Sequence, residues 1–231
     1  MTTFTTSASV LVKSELLKKP ASIFEYTHAS ATSLVKAFDD AKAKRGNVRG
    51  VLTDQEQDIL RAGLVMCCAG VDAALKQAIR DCFEYLLEAN KQVREGFERF
   101  IRKRIGGEGD VLELASGAKF LAQVLAEKNP RVKLIEEYVR ELTGESLQSA
   151  DEILRATAAL GLENKTLGLD ILRLKEIFQI RNKIIHELDL DLNAPKRKRK
   201  VRSQADLLDN ADFMLATIKK LLEELDKSLC V

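Results

Sequence analysis

Apolar residues recur along most of the chain at three- and four-residue spacing, the period of one helix face rather than the alternation of a strand. The clearest run is Ile59, Leu60, Leu64, Val65, Val71, Leu75, Ile79 and Leu86. It follows Thr53-Asp54-Gln55-Glu56, a capping box in which the Thr hydroxyl and the Glu carboxylate satisfy the first free amides of a helix. The helix this predicts is long. It continues or bends into residues 93–105, and Gly106-Gly107 stops it.

The same pattern predicts helices elsewhere. One covers residues 9–18. A second, opened by Pro20, covers 21–44. A broken helix occupies 110–127. Pro130 is placed to start a helix over 131–142, with Gly144 beyond its end. Ser149-Ala150-Asp151-Glu152 reads as a second capping box, leading to Leu160-Gly161. Residues 168–188 form a late helix, 189–202 a loop, and Ser203-Gln204-Ala205-Asp206 opens a last helix to about residue 228. The fold class is therefore all-α, a helical bundle with no strand. Residues 1–50 read as an N-terminal helical extension, either an appendage or part of the same domain, and 51–231 as the main helical domain.

The late helix contains a conflict. Its apolar stripe is Ile171, Leu174, Ile177, Phe178, Ile184, Ile185 and Leu188, and Arg181 lies on the line of that stripe. A guanidinium there is costly unless it is paired or faces a polar cleft. Such conflicts between local pattern and burial tend to mark functional sites. His186 follows five positions later. At about 100° per residue it is offset from Arg181 by about 140°, while Asn182 shares its face. One copy of the helix therefore does not bring Arg181 and His186 to a point. Two copies crossing at a two-fold axis do.

Composition narrows the setting. The chain has 231 residues, 45% hydrophobic and 31% charged, with 3 Pro and no Trp, which suits a soluble helical protein. No apolar run is long enough to span a membrane. The N-terminus lacks the charged start and apolar middle of a signal peptide, so the cytoplasm is the expected compartment. The cysteines, Cys67, Cys68, Cys82 and Cys230, make no C-x-x-C pair, and only two His exist to assist them, so no metal or other cofactor is expected. Cys67 and Cys68 read as reduced core residues. His28, in a Thr/Ser/Ala-rich helix, reads as surface or as a satisfied polar group. The net charge is only +2, but Lys196, Arg197, Lys198, Arg199, Lys200 and Arg202 place six cations in seven residues; taking these six away leaves −4.

These residue types suit one reaction. RNA carries its own nucleophile, the 2′-OH. An imidazole can withdraw that proton or protonate the leaving 5′-oxygen. A guanidinium can hold the phosphate and stabilise developing charge. Asn182 would orient one of them, and the basic loop would gather the polyanion with a salt-dependent contribution. The plain alternative is a paired or solvated Arg and His beside a solvated linker.

Arg181-Asn182-Lys183-Ile184-Ile185-His186 resembles the signature of the HEPN superfamily: Arg, a polar residue, and His after four to six intervening positions. The motif follows Leu174-Lys175-Glu176-Ile177-Phe178-Gln179-Ile180. Upstream, Arg61-Ala62-Gly63-Leu64-Val65 leads to Ala69-Gly70-Val71-Asp72-Ala73-Ala74-Leu75, similar to the long early HEPN helix. The likeness extends over roughly 52–225 and is nearest to the stand-alone prokaryotic RiboL-PSP-HEPN-like group. It implies a helical bundle that dimerises and, in many members, a metal-independent ribonuclease in antiviral defence or toxin systems. It also implies that Arg181 and His186 are catalytic, that Asn182 is auxiliary, and that Asp72 faces the motif as a partner of Arg181. The expected partners are RNA, a second copy of the chain, and an antitoxin or regulatory protein. Residues 108–161 exceed a minimal HEPN unit, and the first 50 residues have no evident counterpart. The competing readings are a non-catalytic interaction or RNA-binding module, and a regulatory subunit of a nucleotidyltransferase-type partner.

Overall fold

The computed structural model describes residues 3–46, 51–106, 111–191 and 199–230, without the side chains of 111–115. Among these residues there are nine α-helices and no strand. They are α1 (Lys18–Lys44), α2 (Asp54–Ala89), α3 (Lys91–Ile105), α4 (Val111–Leu125), α5 (Pro130–Thr143), α6 (Ala150–Ala159), α7 (Asn164–Leu167), α8 (Ile171–Glu187) and α9 (Gln204–Leu229). The fold is an all-α helical bundle.

The long helix α2 is the axis of the bundle. Helices α1 and α9 lie along it, and α3, α5, α6 and α8 pack against other parts of its surface. Leu64, Cys67, Val71, Ala74, Ile79, Cys82, Phe83 and Leu86 of α2 are all buried. Phe24, Ala31 and Phe38 of α1 belong to the same core, so the first helix shares the interior of the rest. Gly70 permits this close approach, because a Cβ there would overlap the Thr27 side chain of α1.

Local signals set most boundaries. Thr53 and Glu56 form the full capping box at the start of α2. Asn90 ends α2 and starts α3, its side chain accepting from the amides of Gln92 and Val93. The long helix therefore breaks rather than continuing. Pro130 stands in the first turn of α5. Ser203 caps α9 through the amide of Asp206. At Ser149 the box is rearranged: Ser149 Oγ accepts from the Glu152 amide, but the Glu152 carboxylate accepts from the amide of Gln148 instead of Ser149.

The N-terminus departs from expectation. Residues 9–18 do not form one helix; a single 3₁₀ turn, Glu15–Leu17, precedes α1. Upstream the chain is an irregular strap laid on α9. The Asp212 carboxylate accepts from the amides of Thr5 and Thr6, and Asp226 from those of Lys13 and Ser14. Asp226 thus satisfies two amides that a helix over 9–18 would have used, so the tertiary contact overrides the local pattern. His28 is a satisfied polar residue beneath this strap: Nε2 contacts the Thr6 carbonyl oxygen at 2.9 Å, and the ring packs edge-on to Phe4 and Phe24.

Candidate active site

Helix α8 begins at Asp170, whose carboxylate accepts from the Arg173 amide. Leu174, Ile177 and Phe178 are buried on its inner face, with Ile171 and Ile184 partly buried beside them. The expected stripe stops there. Ile185 is 39% exposed and Leu188 60% exposed. In the last turn of α8 only Ile184 keeps contact with the core, and Ile185, His186 and Glu187 are exposed.

Arg181 remains on the inner side and is half-buried. Its Nη1 donates to Gln148 Oε1 at 2.5 Å and to Asn182 Oδ1 at 2.9 Å. Both acceptors are neutral. Its charge also reaches Cys68 on α2. Burial pushes that thiol up to about 12, with Arg181 pulling it down. Burial likewise raises Cys67, so both remain thiols in the core rather than nucleophiles.

Asp72 does not pair with Arg181. Its carboxylate accepts from Lys76 Nζ, one turn along α2, and from the Leu147 amide at 2.7 Å. The segment between α5 and α6 stands where the acid–arginine pair was expected, and the next residue in it, Gln148, makes the contact to Arg181. Asp72 thus holds the loop whose next residue contacts Arg181. Gln148 stands just before the Ser149 capping box, and nothing local in the sequence distinguishes it as a partner of Arg181.

Asn182 is bonded to Arg181, and His186 is exposed with no described hydrogen-bond partner. The structure thus brings Arg181, Asn182 and Gln148 together, while His186, one turn beyond Asn182, is exposed and has no described bond to any of them.

Immediately after the motif the chain turns sharply. Leu188 (φ 52°) and Asp189 (φ 56°) are both left-handed, which is strained for residues other than glycine. Two contacts hold the turn. The Asp189 amide donates to Lys183 O at 2.9 Å, and the Asp189 carboxylate is buried against two guanidinium groups. Arg61 reaches it from α2 and also bonds Asp58, Gln57 and the Lys200 carbonyl oxygen. Arg202 reaches it from the basic loop through Nε and Nη2.

This network divides the basic run. Arg199 pairs with Asp58 at 2.7 Å, Arg202 with Asp189, and Lys200 offers its carbonyl oxygen to Arg61. Burial pushes the Asp58 carboxyl up, but the hydrogen bonds and charges of Arg199 and Arg61 outweigh this, leaving its pKa below the ordinary value. Two of the expected RNA-binding cations, Arg199 and Arg202, therefore fasten the loop to α2 and the end of α8. Lys196, Arg197 and Lys198 lie outside the described residues. No group of three His, Cys, Asp or Glu that could hold a metal occurs among the described residues, and no described helix is long and apolar enough to cross a membrane.

The sequence profile of the RiboL-PSP-HEPN family matches residues 28–231. The chain belongs to that family. The match begins inside α1, so most of that helix has a family counterpart after all, and the strap before it lies outside the matched span. The region 108–161, which supplies Gln148, lies within the match. HEPN domains are often ribonucleases. No curated protein and no solved structure matches the chain.

Proposed function

We propose that this HEPN protein is a metal-independent endoribonuclease that works as a homodimer in the cytoplasm. The observation that carries this reading is the incompleteness of the site within one chain. Arg181 is half-buried and held only by neutral oxygens, so its charge is unmatched by any described carboxylate. His186 has no described bond to Arg181, Asn182 or Gln148 and is exposed beside exposed Ile185 and Leu188. A second copy related by a two-fold axis would cover them and bring His186 of one chain toward Arg181 of the other.

The chemistry follows from those groups. His186 withdraws the 2′-OH proton, and the 2′-oxygen attacks the adjacent phosphorus. Arg181 binds the non-bridging oxygens, where negative charge grows in the transition state. The 5′-oxygen leaves and takes up a proton, giving a 2′,3′-cyclic phosphate and a 5′-hydroxyl. The nucleophile belongs to the substrate, so the step needs no activated water. Family membership supports a role in antiviral defence or as a toxin restrained by an antitoxin or regulatory protein.

The test is incubation of purified protein with RNA in EDTA beside Arg181→Ala and His186→Ala. Cleavage by the wild type alone, with cyclic-phosphate ends, supports the proposal. Equal activity in all three, or strict dependence on a divalent metal, contradicts it. RNA binding without cleavage, unchanged in His186→Ala, would favour a non-catalytic module instead.

A further inference from the structure

The turn between α5 and α6 is fastened at three successive positions. The Leu147 amide donates to Asp72 Oδ1 at 2.7 Å, and the Leu147 side chain is buried. The Gln148 amide donates to Glu152 Oε2 at 2.7 Å. Ser149 then caps α6. Fixed on both sides, Gln148 presents its side-chain oxygen to Arg181 Nη1 at 2.5 Å. The other acceptor of Nη1, Asn182 Oδ1, is also an amide. Nη2 and Nε of Arg181 have no partner among the described residues.

We infer that Gln148 is a positioning residue that orients Arg181 for a phosphodiester without neutralising it. This rests on the ribonuclease reading above and extends it to a residue outside the motif. An amide and a carboxylate of the same length make the same contact but differ in what remains. A carboxylate would take the guanidinium in a charge-assisted, often bidentate pair, competing directly with phosphate. An amide leaves the positive charge intact and the remaining donors available to an anion. The buried side of the site thus supplies direction, and the substrate supplies the counter-charge.

The discriminating variant is Gln148→Glu, which preserves size and reach. Its thermal stability should equal or exceed that of wild type, because it adds an ion pair to Arg181. Its kcat/KM on RNA near neutral pH should nevertheless fall by about 10- to 100-fold, the scale of one charge-assisted phosphate contact. Activity should recover in part, relative to wild type at the same pH, as acidification protonates the new carboxyl. Gln148→Ala should lose activity without any such relative recovery. Binding of an uncleavable 2′-O-methyl RNA provides a readout independent of catalysis. Gln148→Glu should weaken it near neutral pH and regain it on acidification, even should the wild type prove inactive as a nuclease. Wild-type inactivity with that binding pattern would overturn the ribonuclease reading and leave this inference standing. A Gln148→Glu variant that is folded and matches wild type in both cleavage and binding would overturn the inference.

Discussion

Asp189 accepts from Arg61 Nε at 3.1 Å, and the two side chains are 1% and 2% exposed. The pair joins the end of the motif helix to the start of α2, and Arg202 closes the network from the loop. A buried ion pair is not in itself strongly stabilising, but removing one partner strands the other. Asp189→Ala would strand Arg61 and Arg202 and leave a strained turn without its anchor. It should destabilise the fold by about 3–5 kcal/mol, measured by chemical denaturation. A loss below about 1 kcal/mol, within the range of an exposed pair, would contradict the description.

Gly70 sits where α1 and α2 come closest. A methyl group there would overlap Thr27, which is itself 7% exposed. Gly70→Ala gains helix propensity yet should lose about 1–3 kcal/mol through overpacking. The double variant with Thr27→Ser should recover part of that loss. A more stable Gly70→Ala protein would show that α1 and α2 do not meet as described.

Acid should release the N-terminal strap. Burial pushes the Asp212 carboxyl up, but hydrogen bonds from Thr5 and Thr6 outweigh it, and the folded pKa lies below 3.8. A depressed carboxylate contributes stability that is fully present above its ordinary value and is lost as pH falls through the folded one. Amide exchange at Thr5 and Thr6 should therefore be slow near neutral pH and accelerate beyond the intrinsic trend only below about 3.8. In Asp212→Ala, protection should be weak throughout, and equal protection in both proteins would refute this role for Asp212.

The basic run should separate into two functional halves. Arg199 and Arg202 are engaged with Asp58 and Asp189, so replacing either should lower stability. Replacing Lys196, Arg197 and Lys198 together should instead weaken RNA binding and reduce its salt slope by about 2, at roughly 0.7 per single-strand phosphate contact. Unchanged binding in the triple variant would make the run a solvated linker.

Much of the fold was legible because its signals are local. The capping residues Thr53, Ser149 and Ser203, the turn of Pro130 and the periodic core of α2 each declare themselves within a few positions. What was not legible depended on distant partners. The segment 9–18 carries a helical pattern, but the Asp226 carboxylate on α9, about 200 positions away, holds the amides of Lys13 and Ser14. The stripe through Ile185 and Leu188 has the spacing of a buried face, yet in the last turn of α8 Ile184 packs against the core while Ile185 and Leu188 are exposed. Arg181 was recognisable as a misplaced charge on that stripe. Its partner was not, because Asp72 is held by the Leu147 amide and the contact falls to Gln148.

In the proposed dimer, Arg181 and His186 of each site come from different chains. Arg181→Ala and His186→Ala should each be inactive alone. Mixed under conditions that exchange subunits, they should form dimers in which one site keeps both residues. Activity should then return to about a quarter of wild type, since about half the dimers are mixed and each holds one intact site of two. No recovery from two folded, subunit-exchanging variants would contradict a site shared across the dimer.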